Sequence, residues 1–254
     1  MNKTALITGA SGGIGFEFVK LFANEGYNLV VIARNEKKLI EIKRNFPTIK
    51  VTVISKDLSK PNAVNEIINE MNAQNITVDV LVNNAGFGLL GAFEDLSIEQ
   101  QLNMIQLNIS SLTELTYQLL PQLKKSKAGK ILNVASTAAF QPGPNMAVYY
   151  ATKAFVLSFS EALAEELIDY SITVTTLCPG ATKTNFSSVA KVENTKMFSN
   201  AMRSDVVAKQ GFDSLMRGER VVITGVFNKV GAIAAKFLPR RTAAKVAKLV
   251  MKEN

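Results

Sequence analysis

Short runs of apolar, β-branched residues alternate along the chain with longer stretches whose apolar positions recur every three to four residues. The short runs cover residues 4–8, 28–33, 50–55, 78–82, 130–135, 172–177 and 220–224, and the longer ones 14–24, 36–45, 61–74, 98–124, 148–169 and 204–217. Segments such as ALIT, LVVI and DVLV are apolar at nearly every position. A strand reads this way when both faces of its sheet are covered. Seven such strands with helices between them predict an α/β protein with a doubly wound, parallel seven-stranded sheet and helices on both faces. No linker, repeat or low-complexity segment interrupts the series, and 254 residues suit one α/β domain, so 1–254 is expected to be a single unit. In such sheets ligands bind outside the carboxyl ends of the strands, where the strand order reverses. Chemistry is therefore expected just after the strands.

Composition narrows that chemistry. The chain has no histidine and one cysteine, Cys178. A Ser-His-Asp or Cys-His nucleophile, a His-ligated zinc, a disulfide framework and a Cys-rich metal site are all excluded, so no metal is expected. Acid–base work must fall to Tyr, Lys, Asp or Glu. The start MNKTALITGASGG is too briefly apolar for a signal peptide, and no apolar run reaches a membrane-spanning length of about 18 residues, so a cytoplasmic or otherwise reducing location is expected. The net charge of +8 is concentrated in residues 228–254, where Lys229, Lys236, Arg240, Arg241, Lys245, Lys248 and Lys252 face Glu253 alone. This basic extension reads first as a solvated helix packed on the domain or on a neighbouring subunit. Contact with an anionic membrane surface is the lesser expectation, and nucleic-acid binding lower still because no aromatic residues are interleaved with the charges.

Between the first strand and first helix, Gly9, Gly13 and Gly15 are spaced G-x-x-x-G-x-G around Ser11 and Ile14. Residues without side chains permit a tight turn and close approach of backbone to a phosphate, which the helix N-terminus favours. No Lys-Ser or Lys-Thr follows, so the nucleoside triphosphate loop is not matched. Strand two ends in Ala33-Arg34-Asn35, with arginine where dinucleotide folds often keep an acid for the ribose hydroxyls. A guanidinium there can pair with a 2′-phosphate, pointing to NADP(H) over NAD(H). Asp57 and Leu58 follow strand three, and Asn83, Asn84, Ala85 and Gly86 follow strand four. Each alone could be a turn former; together, at successive strand ends, they outline a dinucleotide site. Ser136 ends strand five, and Tyr149 precedes Lys153 by one helical turn, which sets the two on one face. A tyrosine is a weak base near neutrality, and a neighbouring ammonium favours its phenolate. Tyr150, about 100° away on the helix, is the lesser partner.

Taken together, TGASGGIG, Asp57, NNAG, Asn108, Ser136, YYATK, Pro179-Gly180 and Thr184 resemble the short-chain dehydrogenase/reductase family over about residues 3 to 185. The resemblance implies a Rossmann-type fold, a nicotinamide cofactor and interconversion of carbonyls and secondary alcohols. It implies Tyr149 as general acid or base, Lys153 lowering its pKa and binding the nicotinamide ribose, Ser136 orienting the substrate oxygen, and Asn108 completing a proton relay. It further sets Asn83 by the adenosine and the 179–184 turn, with Pro179, Gly180, Thr182 and Thr184, by the carboxamide. A variable substrate lid is expected at about 185–217, and a homodimer or homotetramer through helices near 98–124 and 149–169. Some relatives reduce 3-oxoacyl or steroid-like carbonyls, which leaves the substrate unassigned. The rival reading is an NADP-sensing regulatory protein without turnover; retention of Tyr149, Lys153, Ser136 and Asn108 favours the enzyme. An epimerase or dehydratase would need a larger C-terminal domain than the roughly 100 residues after Lys153 allow.

Overall fold

The computed structural model describes residues 2–126, 128–190, 192, 195, 198 and 201–250. In chain order the elements are β1 (Thr4–Thr8), α1 (Gly13–Asn24), β2 (Asn28–Ala33), α2 (Glu36–Asn45), β3 (Val51–Ser55), α3 (Ala63–Ala73), β4 (Val80–Asn83) and α4 (Ile98–Ile105). A π turn (Gln106–Ser111) then leads into α5 (Leu112–Lys125), β5 (Lys130–Val134), α6 (Ala147–Glu166), β6 (Thr173–Cys178), β7 (Thr182–Lys183) and α7 (Asn185–Ala190). The last elements are β8 (Met202–Arg203), α8 (Ser204–Arg217), β9 (Val221–Ile223), α9 (Val226–Phe237) and α10 (Arg240–Val250).

Seven strands form one sheet in the order β3-β2-β1-β4-β5-β6-β9, with every neighbour parallel. The doubly wound α/β expectation therefore holds. The continuous apolar runs have the anticipated cause. Adjacent residues of one strand enter opposite layers: Ile7, Val31 and Val82 pack with Phe18, Phe22, Leu39 and Phe212, whereas Leu6, Val30 and Leu81 pack with Ile67, Met71, Leu119 and Leu163. Burying both sets removes most of the sheet's apolar area from water, at about 25 cal/mol per Å². The strand order reverses between β1 and β4, which opens a crevice at their carboxyl ends.

Departures from the sequence reading are local. The helix expected from residue 61 starts at Ala63 because Asn62 is left-handed, with φ of 63°. The continuous helix expected over 98–124 contains the π turn, an insertion that hydrophobic spacing does not reveal. In the expected lid, Ser204–Arg217 is instead a core helix: Val207, Ala208, Phe212 and Leu215 are buried in the layer with α1. The remaining part holds α7 and β8, which pairs with β7 just before it, while residues 191, 193, 194, 196, 197, 199 and 200 lie outside the described residues. The basic extension folds as α9 and α10, with residues 251–254 outside the described part.

Candidate active site

The crevice at the strand ends is a cleft of about 680 Å³. Gly9, Ser11, Gly13, Ile14, Arg34, Asp57, Asn84, Ala85, Gly86, Ser136, Tyr149, Lys153, Pro179, Gly180, Thr182 and Thr184 all line it. Six strand ends and the first turns of α6 thus bring sixteen of the residues singled out from sequence to one surface. Gly15, Leu58, Asn83 and Asn108 do not line it.

At one end lies the glycine turn. Gly9 and Gly13 have φ of +67° and +55°, which a side chain rarely tolerates. Gly15 stays behind the cleft wall, where a Cβ would strike the Gly9 carbonyl and the Asn84 amide. The sequence reading missed Thr8 as the lock on this turn. Its hydroxyl accepts from the N–H groups of Asn84 at 3.0 Å and Ala85 at 2.9 Å, while Asn84 Nδ2 donates to the Thr8 carbonyl at 2.8 Å. The α1 N-terminus, opening at Gly13, faces the cleft and makes it a ready anion site. Thr184 sits over Gly13, with its Cγ2 only 2.9 Å from where a Cβ would stand.

Arg34 is exposed on the cleft rim, and Lys60, not singled out from sequence, joins it on the wall. Asp57 shapes the turn between them: its Oδ1 accepts from the Ser59 N–H at 3.0 Å and the Ser59 hydroxyl at 2.7 Å. Leu58 points inward and is buried in the core. Asn83 is also buried, donating to Thr116 Oγ1 at 3.0 Å and Asn133 Oδ1 at 2.9 Å, so its amide ties β4 to β5 and α5. Its apolar surroundings demand such partners, and they hold it away from the cleft.

At the other end Ser136, Tyr149 and Lys153 meet, all buried. Ser136 Oγ accepts from the Ala138 N–H at 3.1 Å and donates to the Pro179 carbonyl at 3.3 Å. Lys153 Nζ donates to the Val134 carbonyl at 2.8 Å and lies 5.8 Å from the Tyr149 ring centroid. Burial pushes the Tyr149 phenol up to about 12, opposed by the Ser136 hydroxyl beside it. It also brings the Lys153 ammonium down to about 8, opposed by Cys178. Desolvation is the largest cause at both groups and runs against the lowering of the phenol's pKa expected from sequence, so the phenol keeps its proton at neutral pH. Asn108 stands behind this group within the π turn. Its Oδ1 accepts from the Phe87 N–H at 3.2 Å, and its Nδ2 donates to the Phe87 carbonyl and Thr152 Oγ1, each at 3.0 Å. Thr152 in turn donates to the Tyr149 carbonyl at 2.7 Å. The Asn108 side chain thereby positions both the Phe87 loop and the Tyr149 helix.

Beyond Tyr149 the walls become apolar. Phe87, Leu89, Met146, Tyr150, Phe186, Val192 and Phe198 line the cleft there. Tyr150 stacks edge-on to Tyr149 and lies against Gly143, so it belongs to the wall despite its helical offset. Apart from Tyr150, none of these was singled out; they come from loops and helix starts where apolar residues carry no periodic signal.

The described residues thus offer a backbone-lined anion end, a guanidinium rim and a phenol–ammonium–hydroxyl cluster in one cleft. The model of the short chain dehydrogenase family matches residues 3–195 of this chain. The chain is a short-chain dehydrogenase/reductase. Among similar members of the family, an "uncharacterized oxidoreductase" of Staphylococcus epidermidis is 34% identical over 182 residues, spanning 72% of this chain and 79% of that one. A very-long-chain 3-oxoacyl-CoA reductase of Kluyveromyces lactis is 37% identical over 180 residues, 67% of this chain and 52% of its own. The solved structure of a short-chain dehydrogenase from Sphingobium yanoikuyae in complex with NADPH superposes with a TM-score of 0.81 at 30% identity, covering 91% of this chain and 92% of that one. As a short-chain dehydrogenase/reductase, the protein is an oxidoreductase that uses a nicotinamide cofactor. The cleft fits such a group: the glycine turn at the α1 N-terminus suits its phosphates, and Gly9, Gly13 and Gly86 line the cleft without side chains of their own.

Proposed function

We propose that this protein is an NADP(H)-dependent carbonyl reductase for apolar ketones, reversible to the secondary alcohol, with Tyr149 as its general acid. One observation carries the reading: the buried Tyr149 phenol lines the same cleft as the glycine turn and the apolar wall, beside Ser136 and Lys153. The bound nicotinamide would supply the hydride. Tyr149 would donate its proton to the substrate oxygen, and Ser136 would hold that oxygen in place. Lys153 would stabilise by its charge the phenolate left by that transfer, and it fixes β5 to α6 through the Val134 carbonyl. The residues that would hold the cofactor are the glycine turn, Asn84–Gly86, Arg34, Asp57 and the 179–184 turn, with Lys153 on its ribose. Arg34 and Lys60 at the rim, and the missing acid at the end of β2, support NADPH. The seven apolar residues past Tyr149 support a substrate with a bulky hydrocarbon part, 3-oxoacyl chains included. A second copy of the chain is the expected macromolecular partner, supported by Leu102, Tyr117 and Phe155 lying exposed on α4 to α6; sedimentation as a monomer at all concentrations would refute that.

The test is a fluorescence titration with NADPH and NADH, followed by a ketone screen of increasing chain length. NADPH should bind at least tenfold tighter than NADH, and Arg34→Asp should remove that preference. Binding of neither nucleotide would overturn the reading, and unaltered selectivity in Arg34→Asp would assign the 2′-phosphate to another side chain.

A further inference from the structure

Helices α9 and α10 carry their large apolar side chains toward water. The side chains they bury are small: Ala232, Ala243 and Ala247. Asn228 anchors the first turn of α9, donating to the Thr224 carbonyl at 2.7 Å and lying against Gly180 on the cleft wall. On the outer side, Val226, Val230, Ile233 and Phe237 recur at i, i+4, i+7 and i+11, which is one stripe of a helix. Phe227 flanks it, 93% exposed, and Phe237 is 83% exposed. On α10, Val246 and Leu249 are exposed one turn apart. A helix that simply packs on its own domain buries such a stripe and leaves the small and polar residues outside.

The charge around the stripe is of one sign. No acidic residue occurs between Glu219 and Glu253. Lys229, Lys236, Arg240, Arg241, Lys245 and Lys248 are all exposed, and none of them forms a salt bridge among the described residues. We propose that α9 and α10 are a docking element for the surface of an anionic lipid bilayer, with the stripe at the acyl boundary and the basic side chains among the phosphate headgroups. A second copy of the chain is disfavoured as the occupant, because pairing two such faces brings six cations against six. An acidic protein would meet the charges but would also need a groove shaped to Phe227 and Phe237. A lipid surface meets both features without one. The twelve residues of α9 extend about 18 Å, short of the roughly 30 Å hydrocarbon core, so the helix lies in the interface and does not span it. Because α9 abuts Gly180, and Lys236 Nζ lies 5.3 Å from the ring centroid of Phe140, a docked chain holds its cleft beside the lipid surface.

The experiment is flotation of the full chain with vesicles of phosphatidylcholine alone or with one third phosphatidylglycerol, at low and high salt. Binding to the anionic vesicles at low salt, at least tenfold weaker on neutral vesicles or at 0.5 M salt, is the expected result. Lys245→Gln with Lys248→Gln should weaken it about tenfold, and Phe227→Ser with Phe237→Ser by at least as much, with unaltered melting temperatures as the check on folding. Since the chain has no tryptophan, Phe227→Trp supplies a single reporter whose emission should shift to the blue on anionic vesicles. No flotation at low salt would overturn the proposal, as would an unmoved emission. Equal flotation of the Phe variant, or equally strong retention on immobilised polyglutamate, would reduce the element to charge attraction and also overturn it. Sedimentation without lipid showing an oligomer that Phe227→Ser with Phe237→Ser dissolves would assign the face to a second copy instead.

Discussion

Tyr149 and Lys153 show how far a pair of residues can be read from spacing alone. The one-turn separation correctly sets both at the end of one cleft, and Ser136 joins them from β5. Their relative charge was not legible, because it depends on burial. The phenol is pushed up to about 12 and the ammonium down to about 8, each chiefly by loss of water. A phenol that holds its proton at pH 7 is suited to donating it to a forming alkoxide, as the proposed carbonyl reduction requires. Tyr149→Phe keeps the ring and its contact with Phe186 and removes only the hydroxyl that would give the proton. Its kcat should fall by about 10²- to 10⁴-fold, the usual worth of a positioned acid. The NADPH Kd should stay within about threefold. Steady-state rates beside a fluorescence titration check this, and survival of even a tenth of the rate would dismiss Tyr149 as the acid.

At the scale of elements, the strands were legible because double burial leaves no polar positions in them, and the glycine turn because only glycine satisfies its φ values. The π turn was not, since one extra residue within a helix leaves the apolar spacing on either side intact. It matters because Asn108, within that turn, bonds both Phe87 and Thr152. The charges of the basic extension were legible, but periodicity does not say what the apolar stripe of α9 faces. The glycine turn gives a sharp test of element packing. A Cβ on Gly15 would meet the Gly9 carbonyl, and that carbonyl cannot withdraw without opening the turn that Thr8 and Asn84 lock. Gly15→Ala should therefore cost about 1–3 kcal/mol of stability, as overpacking does, and weaken NADPH binding at least tenfold. Gly231 in α9 meets nothing within 4 Å, so Gly231→Ala should instead add about 0.4–1 kcal/mol. Thermal melts of both variants decide it; equal effects would show that the turn can yield.

For the whole molecule, the cluster in the cleft is a charge on stability as well as a source of chemistry. Lys153 titrates near 10.5 in water and near 8 in the folded chain. Between these values the unfolded chain holds more protons than the folded one, so stability rises with pH there, and below about pH 8 the burial cost is present in full. Tyr149 acts in the opposite sense: its folded pKa lies above its ordinary 10.0, so its contribution is lost as pH rises past 10. Lys153→Met removes the first effect and leaves the second, since methionine fills nearly the same volume without a charge. The lost bond to the Val134 carbonyl affects the variant's stability at every pH, so the informative quantity is how the difference between the two proteins varies with pH. From pH 7 to pH 10 the cofactor-free wild type should gain about 2 kcal/mol relative to Lys153→Met. Urea unfolding of both proteins at unit steps of pH measures it. A difference that stays constant across that range would mean that Lys153 keeps its ordinary pKa in the folded chain, with water reaching an ammonium that the packing of Val134 and Tyr149 is expected to exclude.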